Sequence, residues 1–249
     1  MTTLSDYGER YAAQYAGGPG WFETVMVDAR RRQVLGTAAR HPHRRLLEVG
    51  SGLEPLFLHL PSVEAYTLVE PVPEFCARAR ALAGDSPRVR VHQGTLEALA
   101  PELGQDFDLI VLSSLLHEVP DPNQLLQAVH GLCARETVVH VNVPNIRSLH
   151  RVLALEMGLL GQLSEPSEME RRFGRHTRFD REGFVKSLEA TGLEVLRFAT
   201  YFLKPFSHAQ MEALFDSGIL DRSALGALER MAERFPEYGA EMLAEVRRR

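Results

Sequence analysis

Short apolar runs alternate with helix-like segments over roughly residues 44–142. Five runs have the composition of strands, and they are RLLEV (45–49), AYTLV (65–69), RVRVH (88–92), FDLIVL (107–112) and TVVHVNV (137–143). The segments between them predict helices at 53–60, 73–83, 96–103 and 123–134. Strands that alternate with helices are typical of parallel sheets, and strands buried on both faces are nearly continuous in apolar residues. The pattern therefore predicts an α/β fold with a doubly wound, mostly parallel sheet.

The pattern changes beyond Pro144. It predicts a long helix over 146–160, a polar stretch over 163–179, a helix over 180–191, a strand around 193–202 and helices over 207–235. In the tail, the apolar residues Ala240, Met242, Ala244 and Val246 alternate with Glu241, Leu243, Glu245 and Arg247. A period of two favours an antiparallel closing strand. We therefore expect a Rossmann-like seven-stranded sheet with a helical insertion before its last strand.

A segment rich in tyrosine and glycine precedes the sheet at 6–21, and a helix follows it that ends near Arg40. Three tyrosines recur there every four residues and so share one helical face: Tyr7, Tyr11 and Tyr15. The simplest interpretation is an amphipathic helix that packs on the rest of the chain. We divide the chain into an N-terminal helical cap at 1–40 and a main domain at 41–249, with a core at 44–143 and further elements at 144–239.

The composition limits the class of protein. The chain has 249 residues, 45% of them hydrophobic, and a net charge of −5, which gives no general attraction to nucleic acid or to an anionic membrane. No apolar run approaches the roughly 20 residues that span a bilayer. Cys76 and Cys133 are too few for a disulfide framework, and both fall in predicted helices as small buried hydrophobes. We therefore expect a soluble, cytoplasmic protein with no nucleic-acid or membrane partner.

Two glycines directly follow the first predicted strand. Gly50 and Gly52 would let backbone N–H groups approach a ligand closely at the carboxyl edge of the sheet. A dinucleotide fingerprint needs a third glycine where this chain has Pro55, and Glu54 would face the pyrophosphate. Glu70 lies 18 residues beyond Gly52 at a strand end, where an acid can accept both ribose hydroxyls. The combination predicts a nucleoside-bearing cofactor without a pyrophosphate; the alternative is a tight turn beside a solvated acid.

Four segments carry a family resemblance: EVGSG (48–52), LVEP (68–71), QGTLEAL (93–99) and FDLIVLSSLLHEVPDP (107–122). In order and spacing they resemble the class I S-adenosylmethionine-dependent methyltransferases over roughly residues 40–143. The resemblance implies S-adenosyl-L-methionine as cofactor. It assigns Glu48, Gly50 and Gly52 to the methionine portion, Glu70 with the adjoining Pro71 to the ribose, Thr95 and Leu96 to the adenine edge, and Ser113 to a place beside the cofactor. The chain departs from the family at Glu54, which replaces the third glycine, and at Thr95, which replaces an acid.

Methyl transfer from a sulfonium is an in-line displacement, so the enzyme aligns donor and nucleophile and removes a proton from an alcohol or ammonium. His117 follows the fourth strand, at the point where the methyl group should project in this architecture. Histidine titrates near neutral pH and can act as a general base. The resemblance to small-molecule methyltransferases with a histidine in this loop supports that role. The alternative is a histidine that caps the loop through a backbone carbonyl.

Other candidates lie outside the sheet core. The resemblance to methyltransferases with a closing N-terminal segment makes Tyr7 and Tyr15 candidate catalytic lid residues that screen the sulfonium. Asn145 and His150 begin the helix after the fifth strand, beside the expected acceptor. The basic stretch RRFGRHTR (171–178) could bind a carboxylate or phosphate, although such a run is usually a solvated face. We therefore assign substrate binding to four residues: Asn145, His150, Arg175 and His176.

The fourth-strand loop also excludes some chemistries. Ser113-Ser114-Leu115-Leu116 lacks the Pro-Pro-aromatic pattern of base N-methyltransferases, and no cysteine lies there for covalent catalysis. Ser113 stands where a metal-dependent enzyme would have an aspartate, so we predict no metal. The sequence thus favours methyl transfer to an oxygen or nitrogen of a small molecule, with an anionic acceptor and a homodimer both compatible. Alternatives are a nicotinamide-dependent oxidoreductase and a non-catalytic binding protein on the same fold.

Overall fold

The computed structural model describes residues 20–166 and 177–249. Its strands are β1 (Arg45–Val49), β2 (Ala65–Glu70), β3 (Val89–Gln93), β4 (Phe107–Ser113), β5 (Cys133–Pro144), β6 (Leu193–Tyr201) and β7 (Glu241–Arg248). Its α-helices are α1 (Trp21–Arg40), α2 (Pro73–Ala83), α3 (Leu96–Leu103), α4 (Pro122–Leu132), α5 (Leu149–Glu156), α6 (Arg181–Ala190), α7 (His208–Asp216) and α8 (Ser223–Arg234).

The strands form one sheet in the order β3-β2-β1-β4-β5-β7-β6. The pairs among β1 to β5 are parallel, whereas β7 runs antiparallel between β5 and β6. The predicted seven-stranded Rossmann-like sheet, its antiparallel closing strand and the helices before that strand are thus confirmed. The strand order reverses between β1 and β4, and ligands of open α/β sheets bind beside such a point at the carboxyl edge.

Helices cover both faces of the sheet. Side chains of α3, α4 and α6 pack on one face in a cluster that includes Val139 and Val141 of β5. Helix α1 lies on the other face, where one end packs with the Leu56 turn and α2, and the other end packs with α7. Because neighbouring residues of a strand point to opposite faces, His140 and Asn142 of β5 point toward α1. The α1 face of β5 and β7 therefore carries buried polar groups, and the opposite face is apolar.

Local sequence explains where α4 begins. The Asp121 carboxylate accepts hydrogen bonds from the backbone N–H groups of Asn123 (3.0 Å) and Gln124 (3.1 Å), and Pro122 occupies the first helical turn. An aspartate cap and a proline at this position both favour a helix start. The cap ends the loop that leaves β4, so it fixes the length of the segment that contains His117.

The structure corrects two predicted helices and the placement of one cysteine. The predicted helix at 53–60 is only the 3-10 turn Leu56–Leu58, because Pro55 has no N–H and the Leu56 N–H donates to the Glu48 side chain. The predicted helix at 146–160 is the shorter α5, beyond which Gly158 adopts a left-handed φ of 72°. Cys133 begins β5 and does not lie in a helix; its buried position agrees with the prediction of a small core residue.

Several sequence candidates lie outside the described residues: Tyr7, Tyr11, Tyr15, Arg171, Arg172, Arg175 and His176. Within the two described ranges, no helix is both long and apolar enough to cross a membrane. The same part of the chain holds no group of three or more His, Cys, Asp or Glu residues arranged for a metal ion.

Candidate functional site

The loop after β1 has the conformation that its glycines allow. Gly50 has φ of 73° and Gly52 has φ of 55°, both in the left-handed region that residues with a Cβ rarely adopt. The Gly50 N–H donates to the Val69 carbonyl at 2.9 Å, which ties the loop to the end of β2. The loop therefore turns sharply at the carboxyl edge, between the ends of β1 and β2.

Glu70 ends β2 and faces this loop. One oxygen, Oε2, accepts from the N–H groups of Ser51 (2.9 Å) and Gly52 (3.4 Å), and Oε1 accepts from the Val72 N–H (3.0 Å). Burial raises the pKa of this carboxyl, and the three backbone donors oppose that rise. An ionised carboxylate offers about four acceptor positions, so Glu70 keeps capacity for a hydroxyl at the loop.

Glu48 supports the loop from beneath. Its carboxyl accepts hydrogen bonds from the Tyr66 hydroxyl and from the Leu56 N–H at 3.2 Å. Burial raises its pKa to about 8, and the negative charge of Glu70 adds to that rise. The side chain therefore fixes the segment that follows the loop, and its contact with the methionine portion stays a prediction.

Glu54, which replaces the third family glycine, points away from the loop. Its carboxylate pairs with Arg31 of α1 at 2.6 Å and with His59 at 3.0 Å. The side chain is about half exposed, at 48%. The departure from the glycine pattern therefore creates a surface ion pair with α1. No local pattern indicated this partner, because Arg31 lies 23 residues from Glu54 in the sequence.

The loop after β4 crosses the glycine loop. Ser113 ends β4, and Ser114 has φ of 58° while its N–H donates to the Asn142 carbonyl at 3.1 Å. A Cβ placed on Gly50 would lie 3.4 Å from Leu115 Cδ1, so the two loops are in van der Waals contact. Ser113 and the Leu115 side chain thus lie beside the turn that the sequence assigned to the cofactor.

His117 follows in the same loop and is buried, with 3% of its surface exposed. Its Nε2 lies 3.5 Å from Oε1 of Glu118, and its carbonyl accepts from the Thr177 N–H at 3.5 Å. The loop geometry therefore places a histidine and an acid together, two residues after the contact between the loops.

The predicted adenine residues lie at the start of α3. Thr95 is exposed, whereas the Leu96 side chain is buried in the apolar core. Gly94, just before them, donates its N–H to the Glu70 carbonyl at 3.1 Å. Leu96 can therefore contact a ligand only through its backbone, while Thr95 has a free face. Pro71 is half-buried next to Glu70.

The two described substrate-binding candidates differ. The Asn145 amide donates to the carbonyls of Glu237 (2.9 Å) and Gly239 (3.0 Å), and its oxygen accepts from the Arg147 N–H (2.9 Å). Its polar atoms therefore hold two chain segments together. The His150 ring is mostly buried, and burial together with nearby positive charge lowers its pKa to about 2, so the ring is neutral.

A buried polar network lies between α1 and the far half of the sheet. Glu241 accepts from Arg30 Nε (2.8 Å), from the Tyr201 hydroxyl (2.6 Å) and from the Asn142 amide (3.4 Å). Arg30 also contacts Glu23 at 3.4 Å. Sequence reasoning missed this network, although the glutamates of the alternating tail were a signal for a polar inner face.

The residues at the carboxyl edge fit S-adenosylmethionine. Glu70 would hold the ribose hydroxyls, and the glycine turn with Leu115 against it would contact the methionine portion. Glu54 is already paired with Arg31, so it does not add a charge inside the turn.

Comparisons with known proteins agree with this geometry. A family model described as a methyltransferase domain matches residues 14–197. The beauvericin nonribosomal cyclodepsipeptide synthetase of Beauveria bassiana is 28% identical over 161 residues; the match covers 61% of this chain and 5% of the synthetase. The chain thus spans about a twentieth of that relative's length.

Solved structures share the fold. A methyltransferase of Thermotoga maritima, described as a possible histamine N-methyltransferase, has a TM-score of 0.67 at 17% identity and covers 99% of this chain and 100% of its own. The mitomycin 7-O-methyltransferase MmcR has a TM-score of 0.54 at 16% identity and covers 95% of this chain and 62% of its own. Because the family model matches well over half of the chain, the protein belongs to the methyltransferase domain family, and its cofactor is S-adenosylmethionine.

Proposed function

We propose that the protein transfers a methyl group from S-adenosylmethionine to an oxygen or nitrogen of a small molecule, with His117 as the general base. The observation that carries this proposal is the buried His117 imidazole in the loop that crosses the glycine turn. A histidine in that place lies near the point where a methyl group would leave the cofactor.

In this mechanism the bound cofactor supplies an electrophilic methyl group on a sulfonium. The acceptor oxygen or nitrogen would take this methyl group as the carbon–sulfur bond breaks, and S-adenosylhomocysteine would be released. The acceptor proton passes to a ring nitrogen of His117. Glu118 Oε1, 3.5 Å from Nε2, stabilises the imidazolium that results.

The cofactor contacts of the proposal follow the sequence assignment. Glu70 and Pro71 would hold the ribose, and Gly50, Gly52 and Glu48 would contact the methionine portion. Thr95 and the Leu96 backbone would contact the adenine, and Ser113 the sulfonium end. Tyr7 and Tyr15 stay predicted lid residues, and Arg175 and His176 stay predicted acceptor-binding residues; all four lie outside the described part of the chain.

Two kinds of observation support a small acceptor. The names of two structural neighbours refer to methylation of histamine and of mitomycin, both small molecules. The chain also has a net charge of −5, which does not attract nucleic acid.

A label-transfer experiment tests the acceptor class. The protein is incubated with S-adenosylmethionine labelled in the methyl group and with three separate acceptor pools: a small-metabolite extract, tRNA with duplex DNA, and denatured protein. We expect label in the small-metabolite pool only, and we expect His117→Ala to remove it. Label in the nucleic-acid or protein pool would contradict the proposal, as would no label in any pool.

A further inference from the structure

Lys204 is a buried lysine directly after β6. Only Lys186 and Lys204 are lysines among the 28 basic residues of the chain, and Lys204 is 6% exposed. Lysine is almost never buried unless it is paired. Across residues 20–166 and 177–249, however, no acceptor lies within hydrogen-bond or ion-pair distance of its ammonium group. Within the described part of the chain, this mostly buried lysine therefore has no direct hydrogen-bond or ion-pair partner.

The nearby carboxylates already have other partners. Glu23 pairs with Arg30 (3.4 Å) and with His208 (3.2 Å). Glu241 binds Arg30 (2.8 Å) and Tyr201 (2.6 Å). Burial lowers the pKa of Lys204 to about 8, and the charges of Glu23 and Glu241 oppose that fall without a hydrogen bond. The ammonium thus keeps its hydrogen-bonding capacity for another group.

His150 provides a second incomplete polar group beside Lys204. Its backbone N–H donates to the Lys204 carbonyl at 3.1 Å, so α5 begins against this lysine. The His150 Nδ1 atom is buried and has no hydrogen-bond partner within the described ranges. The positive charge of Lys204 helps keep the ring neutral, so one ring nitrogen carries a hydrogen and can donate it. Lys204 and His150 therefore both carry side-chain nitrogen atoms without a partner in the described part of the chain.

The two residues lie at the ligand-binding edge of the sheet. The Asn145 N–H donates to the Ala240 carbonyl, and the Ala240 N–H donates to the Phe202 carbonyl, so the segments after β5 and β6 adjoin. Strands lie about 4.8 Å apart, and β6 is three positions from β4, which puts Lys204 roughly 14 Å from the loop of His117. Lys204 is therefore too far to take the acceptor's proton, but it can bind the other end of the same molecule.

We propose that Lys204 and His150 form an anchor that binds a carboxylate of the acceptor while the methylated atom lies near His117. The local charge favours an anion over an amine. Three cations (Arg30, Arg151 and Lys204) face two carboxylates (Glu23 and Glu241), which leaves a net positive charge beside the neutral His150 ring. This proposal rests on the proposed function in one respect: that the carboxylate ligand is the methyl acceptor.

The low lysine content makes the test direct. Protein that carries ¹³C-labelled lysine gives two side-chain Cε signals, and Lys186→Arg assigns them. Benzoate and its neutral analogue benzamide are then titrated in the presence of S-adenosylhomocysteine. We expect a saturable shift of the Lys204 signal with benzoate, at least about tenfold weaker binding of benzamide, and no saturable shift of Lys186.

Variants separate charge from packing. Lys204→Met should weaken benzoate binding by about tenfold or more, because it keeps the apolar stem and removes the charge, whereas Lys204→Arg should restore much of it. His150→Phe should weaken it by less. The anchor is wrong if the wild-type Lys204 signal shows no saturable shift, or if benzamide and benzoate shift it equally.

Calorimetry on the same samples distinguishes the two proposals. If S-adenosylhomocysteine binds wild type and Lys204→Met equally while the benzoate titration fails, the anchor alone is overturned. If benzoate binds at Lys204 but no acceptor pool takes a methyl label, the anchor stands as a carboxylate site and the proposed function is overturned.

Discussion

The two halves of the sheet are built differently. In the half formed by β1, β2 and β4, the functional groups lie within a few residues of strand ends, and backbone N–H groups bind Glu70. In the half formed by β5, β6 and β7, Arg30, Asn142 and Tyr201 meet at Glu241 from sequence positions as far as 211 residues apart. The first half is a local motif, whereas the second is a tertiary network.

The difference explains what the sequence could predict. Strand order and the roles of Gly50, Gly52 and Glu70 follow from short segments, because parallel strands bring their carboxyl ends to one edge. The pairing of Glu54 with Arg31 and the surroundings of Lys204 depend on how α1 packs, which no local pattern encodes. The low lysine content is visible in the sequence, but only burial distinguishes Lys204 from an ordinary surface lysine.

The incorrect prediction of a helix at 53–60 also reflects tertiary contacts that a local pattern does not encode. Its apolar residues have a helical period, but the Leu56 N–H donates a hydrogen bond to the Glu48 carboxyl, which also accepts one from the Tyr66 hydroxyl. A buried carboxyl eight residues earlier thus overrides the local preference. Tertiary contacts decided this element, while β4, which is apolar over nearly its full length, was predicted within one residue.

The largest effect should come from the tertiary network. Glu241→Ala leaves the buried Arg30 guanidinium without its closest carboxylate, and removing one partner of a buried pair costs about 3–5 kcal/mol. Glu54→Ala removes a half-exposed pair and should cost at most about 1 kcal/mol. Urea unfolding measures both. Equal costs would show that the network carries no special stability.

In the half formed by β1, β2 and β4, Glu48 should make the free energy of unfolding depend on pH. Its pKa is raised to about 8 in the folded protein, so its contribution is full below about pH 4.5 and is lost as pH rises toward 8. Glu48→Gln, which is always neutral, should remove this decrease in unfolding free energy across that range. Unfolding curves at several pH values measure it.

Glu245 provides the opposite control. Arg40 and His41 hold its pKa at about 2 against the effect of burial, so its contribution is present above about pH 4.5 and is lost as pH falls toward 2. Glu245→Gln should therefore change the acid limb of the stability profile and leave the limb near pH 8 unchanged. A Glu48→Gln profile that changes only on the acid side would contradict the environment described for Glu48.

Turnover measurements test the proposed role of His117 in the loop after β4. His117→Ala should lower turnover by roughly 100-fold or more and leave the affinity for S-adenosylhomocysteine unchanged, because a general base acts in the chemical step. His59→Ala, at a half-buried histidine paired with Glu54, is the matched control. Unchanged turnover in His117→Ala would make this residue structural.

The smallest effect is at the glycine turn. Gly50→Ala places a Cβ at φ of 73° and 3.4 Å from Leu115, and should cost about 1–2 kcal/mol of stability. Gly84→Ala, at a left-handed position with no neighbour within 4 Å, is the control for backbone strain alone. We expect Gly50→Ala to lose more affinity for the cofactor than Gly84→Ala, because only Gly50 lies in the turn assigned to the cofactor. Equal losses of affinity would contradict that assignment.

The measurement that tests the central claim most directly is calorimetric titration of S-adenosylhomocysteine into the wild-type protein and Glu70→Ala. We predict one site in the wild type and at least a tenfold loss of affinity in the variant, because hydrogen bonds to a charged group contribute about 1.5–3 kcal/mol each. No binding to the wild type, or equal binding to both proteins, would contradict the assignment of the glycine turn and Glu70 to the cofactor.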